Sequence, residues 1–451
     1  LPFSGAQWQH VLLQNYITKE RSSDMENYHF IDPLKFLSEA TSPYQTVIKS
    51  AEILKENGFE ELELDQDWKL EPGTDYFVKV YGSTLVAFHF GKNLRSRLHL
   101  GAAHTDSPCL RIKPNAETTT RNYGKLNVEV YGGMIRSPRI DRPLSLAGKI
   151  VLKSNDPYHP KTVFVDARRP LMVIPHLAIH MNRQMNDGES FNQQKDMLPL
   201  ITMLDGNRLS EPFFMNFLGS EFKLPVEDIF SYELTVYPCD PPCLVGIHNE
   251  FISGSRLDNL TSVMACLNGI INGSKKDGLH AVALFDNEEV GSKSKQGAAS
   301  MVLPDILERI YLNQCFTTEQ YLADLGKAFF FSLDVAHALH PNVPEKNDIT
   351  NFPVLNGGVT LKIACSQSYA GDAEAIAIAK SLCSGHNIPC QVFLNRSDIA
   401  GGFALGPLLS ANLPIRTMDI GVTVLGMHSA RETMGADDQD AINRLMTVFF
   451  E

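Results

Sequence analysis

An apolar run from Leu279 to Phe285 stops at Asp286 and then at two adjacent carboxylates, Glu288 and Glu289, ahead of Gly291. The run reads as a buried strand. An acidic strand end followed by a glycine turn is where open α/β sheets put their sites. From residue 253 onward the texture repeats. Candidate helices at Asn259–Ile271, Ser294–Met301 and Asp372–Ser384 alternate with candidate strands at Ala281–Phe285, Ala328–Leu333, Gln391–Leu394 and Ile415–Ile420. This alternation predicts an α/β fold with a mixed, largely parallel sheet covered by helices on both faces. Taken alone, Glu288 and Glu289 read as solvated turn charges, because glutamate is mostly exposed. Two neighbouring carboxylates can also divide labour, one holding a metal while the other handles the proton of a reacting water.

Upstream, residues 11–60 carry helical periodicity that ends at Asn57-Gly58. Strand-like pieces follow at Tyr76–Tyr81, Thr84–Phe90 and Arg97–Ala103, the last leading into His104-Thr105-Asp106. Between 121 and 249 the pattern changes. Alternating segments at Lys125–Tyr131, Ala147–Lys153 and Thr162–Asp166 predict antiparallel strands, with one helical segment at Ile174–Met185. The expected organisation is a discontinuous domain, residues 1–120 and 250–451, carrying an inserted β-rich domain, residues 121–249. At 451 residues the chain has material for two or three domains.

The charge balance is acidic, 40 Lys+Arg against 52 Asp+Glu, for a net −12. That argues against nucleic acid or an anionic membrane as a general partner. No run approaches the roughly 18 apolar residues of a membrane helix. Leu1–Gly5 has no basic region leading into a long apolar stretch, so no signal peptide is expected. The 8 cysteines are scattered, and Cys239 and Cys243 have no matching second pair to make a zinc knuckle. Reduced thiols in a cytoplasmic protein are the expectation.

Further acidic and imidazole residues fall at element ends. His104 ends a strand, with Asp106 two residues on. Asp258 precedes a helix, Asp334 ends the strand Phe329–Leu333, and His428 follows a β-rich segment. A sheet would bring such ends together along one edge, and imidazole with carboxylate is a good ligand set for zinc or a related ion. Each has a structural alternative: a satisfied histidine, or for Asp258 a helix N-cap.

His104-Thr105-Asp106-Ser107-Pro108-Cys109-Leu110, Pro175-His176-Leu177-Ala178-Ile179-His180, Arg256-Leu257-Asp258-Asn259, Asp286–Ser292, Asp334–Asn342 and Met427–Glu432 together, in this order, resemble the aspartyl aminopeptidase family, M18. The resemblance implies a two-metal site, zinc above all with cobalt or manganese as alternatives. Asp258 would bridge both ions, His104 and Asp334 would complete one side, and Glu289 and His428 the other. Glu288 would be the general base, and Asp106 would orient His104 from behind. It also implies Lys362 as the cationic receptor of an acidic substrate side chain, with Tyr369 and His337 nearby. His176 would reach a neighbouring subunit's active site. His176 and His180 share a helical face at i,i+4, but Leu177 stands where a zinc helix would carry Glu, so no second metal site is expected there.

The implied activity is removal of an N-terminal Asp or Glu from peptides by a homo-oligomer, a tetrahedral dodecamer. One departure from the family lies at Arg396–Pro407, where Gly401, Phe403 and Ala404 replace small polar groups. Two other readings stand beside this one: a broader di-metal aminopeptidase or deacylase, and a non-catalytic assembly or cargo protein that keeps the fold.

Overall fold

The chain builds its main sheet in two visits. It is described here from a computed structural model covering residues 28–188, 190–205, 212–273 and 277–451. The first visit lays down β1 (Glu60–Leu62), β2 (Asp75–Val80), β3 (Thr84–Phe90) and β4 (Leu98–His104). The chain then leaves for a separate six-stranded sheet made of β5 (Cys109–Thr120), β6 (Tyr123–Tyr131), β7 (Leu144–Leu152), β8 (Lys161–Asp166), β9 (Leu200–Met203) and β10 (Ile229–Pro238). Every pairing in that sheet is antiparallel, in the order β8-β7-β10-β5-β6-β9. Its apolar faces close over a core of their own, which includes Leu126, Leu146, Phe214 and Leu234.

Two short strands, β11 (Cys243–Val245) and β12 (Phe251–Gly254), precede the return. The second visit supplies β13 (Leu279–Phe285) and β14 (Phe329–Leu333), and after the two-residue β15 (Ala336–His337) come β16 (Val359–Lys362), β17 (Cys390–Phe393) and β18 (Arg416–Gly421). The last strands are β19 (Thr423–Leu425) and β20 (Glu432–Gly435). The main sheet has the order β1-β2-β3-β13-β4-β14-β18-β16-β17 and is mixed, with β13, β4, β14 and β18 mutually parallel. A small sheet, β11-β12-β20-β19-β15, adjoins its end.

The expected buried strand is β13, and every one of its residues is buried. A central strand covered on both faces has no solvent side, which is why Leu279–Phe285 does not alternate. The helix Leu257–Asn272 is buried for most of its length and packs against the last helix, Ala436–Phe449. Gly269 makes that approach possible: a Cβ there would lie 2.8 Å from Met446 Cβ and 3.0 Å from the Met446 carbonyl oxygen. Most other expected elements appear within a residue or two of their predicted limits. The N-terminal periodicity resolves into helices Pro33–Glu39 and Pro43–Glu56, the second ending at Gly58 with φ +86°. Its stretch 11–27, and Leu1–Gly5, lie outside the described residues. Residues Asp32–Glu451 form one compact unit.

Two expected helices are absent. Ile174–Met185 is extended chain and turns. Val173 is held to Leu200 by two backbone bonds, the Ile174 carbonyl accepts the Asp141 N–H, and Pro175 has no N–H to give a helix. Ser294–Met301 is a series of turns, with the helix starting only at Val302. Gln296 turns its carbonyl to the Asp286 N–H and the Thr84 hydroxyl. At Gly297 a Cβ would lie 2.2 Å from the Ser292 carbonyl oxygen, so the segment folds back over the end of β13.

Candidate metal centre

Strand register assembles the site. In β13 and β4, Phe285 stands opposite His104, so the acidic turn and the imidazole leave the sheet side by side. On the other flank of β4, Ser332 of β14 pairs with Ala102, which carries Asp334 to the same edge. Asp258 opens the helix Leu257–Asn272 with non-helical backbone and does not cap it; its carboxylate faces two histidines instead. Asn259 anchors this turn to the sheet by donating to the Leu333 carbonyl at 2.8 Å. His428 arrives from the turn between β19 and β20.

The two oxygens of Asp258 face opposite ways. Oδ1 is 3.3 Å from His104 Nε2 and Oδ2 is 3.2 Å from His428 Nε2. Asp334 Oδ1 and Glu288 Oε2 lie 3.6 and 4.0 Å from the same His104 nitrogen, and Glu289 Oε2 lies 3.6 Å from His428 Nε2. Both imidazoles are pinned through Nδ1, His104 to the Asp106 carbonyl at 3.0 Å and His428 to the Gly133 carbonyl at 3.1 Å. A ring whose Nδ1–H is spent on a carbonyl presents Nε2 as the free ligand atom. The structure thus brings together His104, Asp258, Glu288, Glu289, Asp334 and His428, six of the residues singled out from the sequence.

Burial is what makes this cluster unusual. It pushes Glu288 up to about 8, with Asp334, Asp106 and Asp258 adding to the rise, and lifts Glu289 well above the ordinary carboxylate range. Burial pulls Asp258 the same way, but the imidazoles of His104 and His428 beside it overcome the pull and hold that carboxylate below its usual value. Desolvated like charges at this separation are costly unless a cation stands among them. The donor set fits one. His104, Asp258 and Glu289 offer ligand atoms all within 4.8 Å of one another. Asp258 Oδ1 and Glu289 Oε1 are buried with no hydrogen-bond partner. Nitrogen and carboxylate oxygen together suit zinc.

Beside the cluster lies a cavity of about 290 Å³ lined by His337, Lys362, Tyr369 and Phe393, with Gly402, Phe403 and Ala404 from the loop that departs from the family pattern. Lys362 is 3% exposed. Its ammonium is 2.9 Å from Asp334 Oδ2 and from the Val335 carbonyl, and 4.8 Å from the Tyr369 ring centroid. The Lys362 charge outweighs burial at Asp334 and holds that carboxylate ionised. Burial, helped by Lys362, lowers His337 and keeps its ring neutral. His176 lines a different cavity, of about 650 Å³, and its backbone and ring both engage Asp141, the ring at 2.7 Å.

Asp106 was expected beside His104, but its partners, and Glu432, Tyr131 and Gly132, were not. Asp106 is fully buried; its oxygens accept the backbone N–H of Glu288 and of Glu289, at 3.1 Å each, and the Tyr131 hydroxyl at 2.6 Å. His104 is therefore oriented by the Asp106 carbonyl, while the carboxylate, 3.4 Å from the ring, holds the Glu288-Glu289 turn. Glu432 accepts the N–H of Asp258 at 3.1 Å and of His428 at 2.7 Å, tying ligands from two elements together. Gly132, at φ +73°, packs against Glu289, where a Cβ would lie 3.0 Å from Glu289 Cβ. Glu432 stands inside a recognisable motif, so its place could have been suspected. Tyr131 and Gly132 come from another sheet and carry no local signal.

Known proteins resemble this chain over most of its length. A family model described as aminopeptidase I zinc metalloprotease (M18) matches residues 36–450. A probable M18 family aminopeptidase 2 of Clostridium acetobutylicum is 41% identical over 420 residues, 92% of this chain and 97% of its own length. The protein of the same description from Pseudomonas savastanoi pv. phaseolicola is 34% identical over 421 residues, 92% of this chain and 96% of its own. Among solved structures, the Ape4 and Nbr1 complex contains a chain with TM-score 0.88 and 33% identity, covering 92% of this chain and 84% of that one. The Saccharomyces mApe1 dodecamer superposes with TM-score 0.78 at 24% identity, over 92% and 95% of the two chains, a likeness of fold. Among the described residues no helix is long and apolar enough to cross a membrane.

Proposed function

The chain belongs to the M18 family of zinc metallo-aminopeptidases, and from that premise we propose that it removes N-terminal Asp or Glu from peptides at a two-metal centre. The observation that carries this reading is the pair of imidazole nitrogens set against opposite oxygens of Asp258, at 3.3 and 3.2 Å, with Glu288 alongside. Asp258 would be the shared ligand of the centre, with His104 and Asp334 holding metal on one side of it and Glu289 and His428 on the other. Zinc is the expected metal, with cobalt or manganese able to replace it. Bound there, it would supply Lewis acidity to the scissile carbonyl and acidify the attacking water.

The rest is the work of the side chains. Glu288, not needed as a ligand, takes the proton of the water and returns it to the departing amine. Asp106 fixes the turn that carries Glu288. Acidic groups around Asp258 receive the substrate's free α-amine, which limits cleavage to the first residue. Lys362, with Tyr369 and the neutral His337, receives an acidic side chain. The six-stranded sheet, whose strand β5 (Cys109–Thr120) starts before the expected boundary at residue 121, is the oligomerisation unit. It builds a homo-oligomer of the dodecameric kind its neighbours adopt, in which His176 reaches a partner's substrate. The expected location is the cytoplasm.

One observation favours a broader aminopeptidase. Lys362 already spends donors on Asp334 and Val335, and the loop Gly402-Phe403-Ala404 offers no polar side chain to the cavity. Hydrolysis of Asp-, Glu-, Ala- and Leu-anilides by zinc-reconstituted protein decides between them, with metal per chain measured alongside. Selective release from Asp and Glu at two metals per chain is expected. Glu288→Gln should keep its metal and lose at least about a hundredfold in kcat. Faster release from Ala or Leu would move the assignment to the broader enzyme.

A further inference from the structure

Strand β6 ends at Tyr131, and the chain after it leaves the six-stranded sheet along the edge of the metal centre. This strap is tied to its own sheet at both ends. Tyr131 still pairs with Cys109 of β5, and the Arg111 guanidinium lies 4.4 Å from the centroid of its ring. Met134 is buried in the apolar core of the six-stranded sheet. A segment fixed in this way offers set partners to whatever it crosses.

What it crosses is one side of the centre. The Tyr131 hydroxyl donates to Asp106 Oδ2 at 2.6 Å and accepts from Asn287 Nδ2 at 3.0 Å. Asp106 carries the N–H groups of Glu288 and Glu289, and Asn287, at φ +65°, opens the turn that contains them. The Asn287 amide is fixed from its other end by the Ser294 hydroxyl at 2.7 Å. One phenol therefore holds the carboxylate turn at two points. Gly132 packs against Glu289 next to it. The Gly133 carbonyl accepts from His428 Nδ1, and the Ile135 N–H donates to the His428 carbonyl, each at 3.1 Å. His428 stands at φ +66° between two short strands, with its side chain 29% exposed, so the strap grips it by ring and by backbone.

The other side has different supports. His104 ends β4 and is held through the Asp106 carbonyl, and Asp334 follows β14 and is held by Lys362 at the end of β16. Those supports belong to the main sheet and the turns that leave it. We propose that Tyr131–Ile135 is a positioning element of the Glu289 and His428 side, so that the six-stranded sheet sets the metal affinity of one half of the centre and the main sheet that of the other. The inference rests on the two-metal reading above.

The test is zinc binding by chelator competition, with metal per chain measured alongside, for the parent, Tyr131→Phe, Gly133→Ala and His428→Ala. Two steps are expected in the parent, and the one missing from His428→Ala identifies that side. Tyr131→Phe keeps the ring and removes the hydroxyl; it should weaken that step about tenfold or more and leave the other within about twofold. Gly133→Ala, whose Cβ would lie 3.3 Å from His428 Nδ1, should weaken the same step. With both steps saturated, Tyr131→Phe should lower kcat about tenfold at nearly constant KM, because Tyr131 holds the Glu288 turn and does not line the substrate cavity. Should either variant fail to fold, the parent gives its own reading: exchange of the Ile135 amide should slow as the His428 step fills, since His428 is its acceptor. A single step in the parent overturns the two-metal reading and the inference with it. Two steps weakened alike in a folded variant, or an Ile135 amide that follows the other step, overturn the inference alone.

Discussion

The carboxylate of Asp106 receives the backbone N–H of Glu288 and of Glu289 and the Tyr131 hydroxyl, while its carbonyl holds His104. Its spacing from His104 was legible in the sequence. Its partners were not, because Tyr131 belongs to another sheet. His280 presents a different case. It lies near the start of β13, 2% exposed, with His89, His99 and Arg97 near it and the Asp277 backbone acting the other way. Burial above all, and the facing histidines, lower it to about 3. The folded protein thus refuses a proton that the unfolded chain accepts near 6.5. Stability is complete above that value and falls as pH drops through the window from about 6.5 toward 3. At pH 5 the loss from this residue is about 2 kcal/mol. Denaturant unfolding at pH 7 and pH 5 should show a smaller acid loss in His280→Asn than in the parent. Equal losses would mean that the acid sensitivity lies elsewhere.

At the scale of elements, period and punctuation located the strands well because β13, β14 and their neighbours are apolar runs with clear ends. They failed where long-range bonds outbid local preference. Ile174–Met185 has a helical pattern, but Val173 and Ile174 are claimed by Leu200 and Asp141. Ser294–Met301 is drawn back by Thr84 and Asp286. Close approach of strands matters for the metal centre as well. At the end of β18, a Cβ on Gly421 would lie 1.9 Å from the Asp334 carbonyl oxygen and 2.7 Å from its carbon, both backbone atoms with no room to yield. Gly421→Ala should destabilise the protein by roughly 1–3 kcal/mol. By shifting Asp334 it should also weaken zinc binding about tenfold or more, read by competition with a chelator. A variant with parent Tm and parent zinc affinity would show that β14 and β18 can part at no cost.

At the scale of the whole molecule, His176 and Glu288 line different cavities of one chain. If His176 serves a partner's substrate, His176→Ala and Glu288→Gln should each be inactive yet complement one another. Mixed oligomers, formed by subunit exchange, should regain a substantial part of the parent activity. Failure to regain activity in oligomers shown by mass to be mixed would confine His176 to its own chain. The sequence by itself determined the α/β class, the buried strand with its acidic end, and the ligand types, because these rest on local periodicity and on motifs a few residues long. Only the tertiary structure decided that Asp258 sets its two oxygens toward two histidines and that Lys362 pairs with Asp334. Those facts depend on strand register and on burial, and both are settled between segments far apart in the chain.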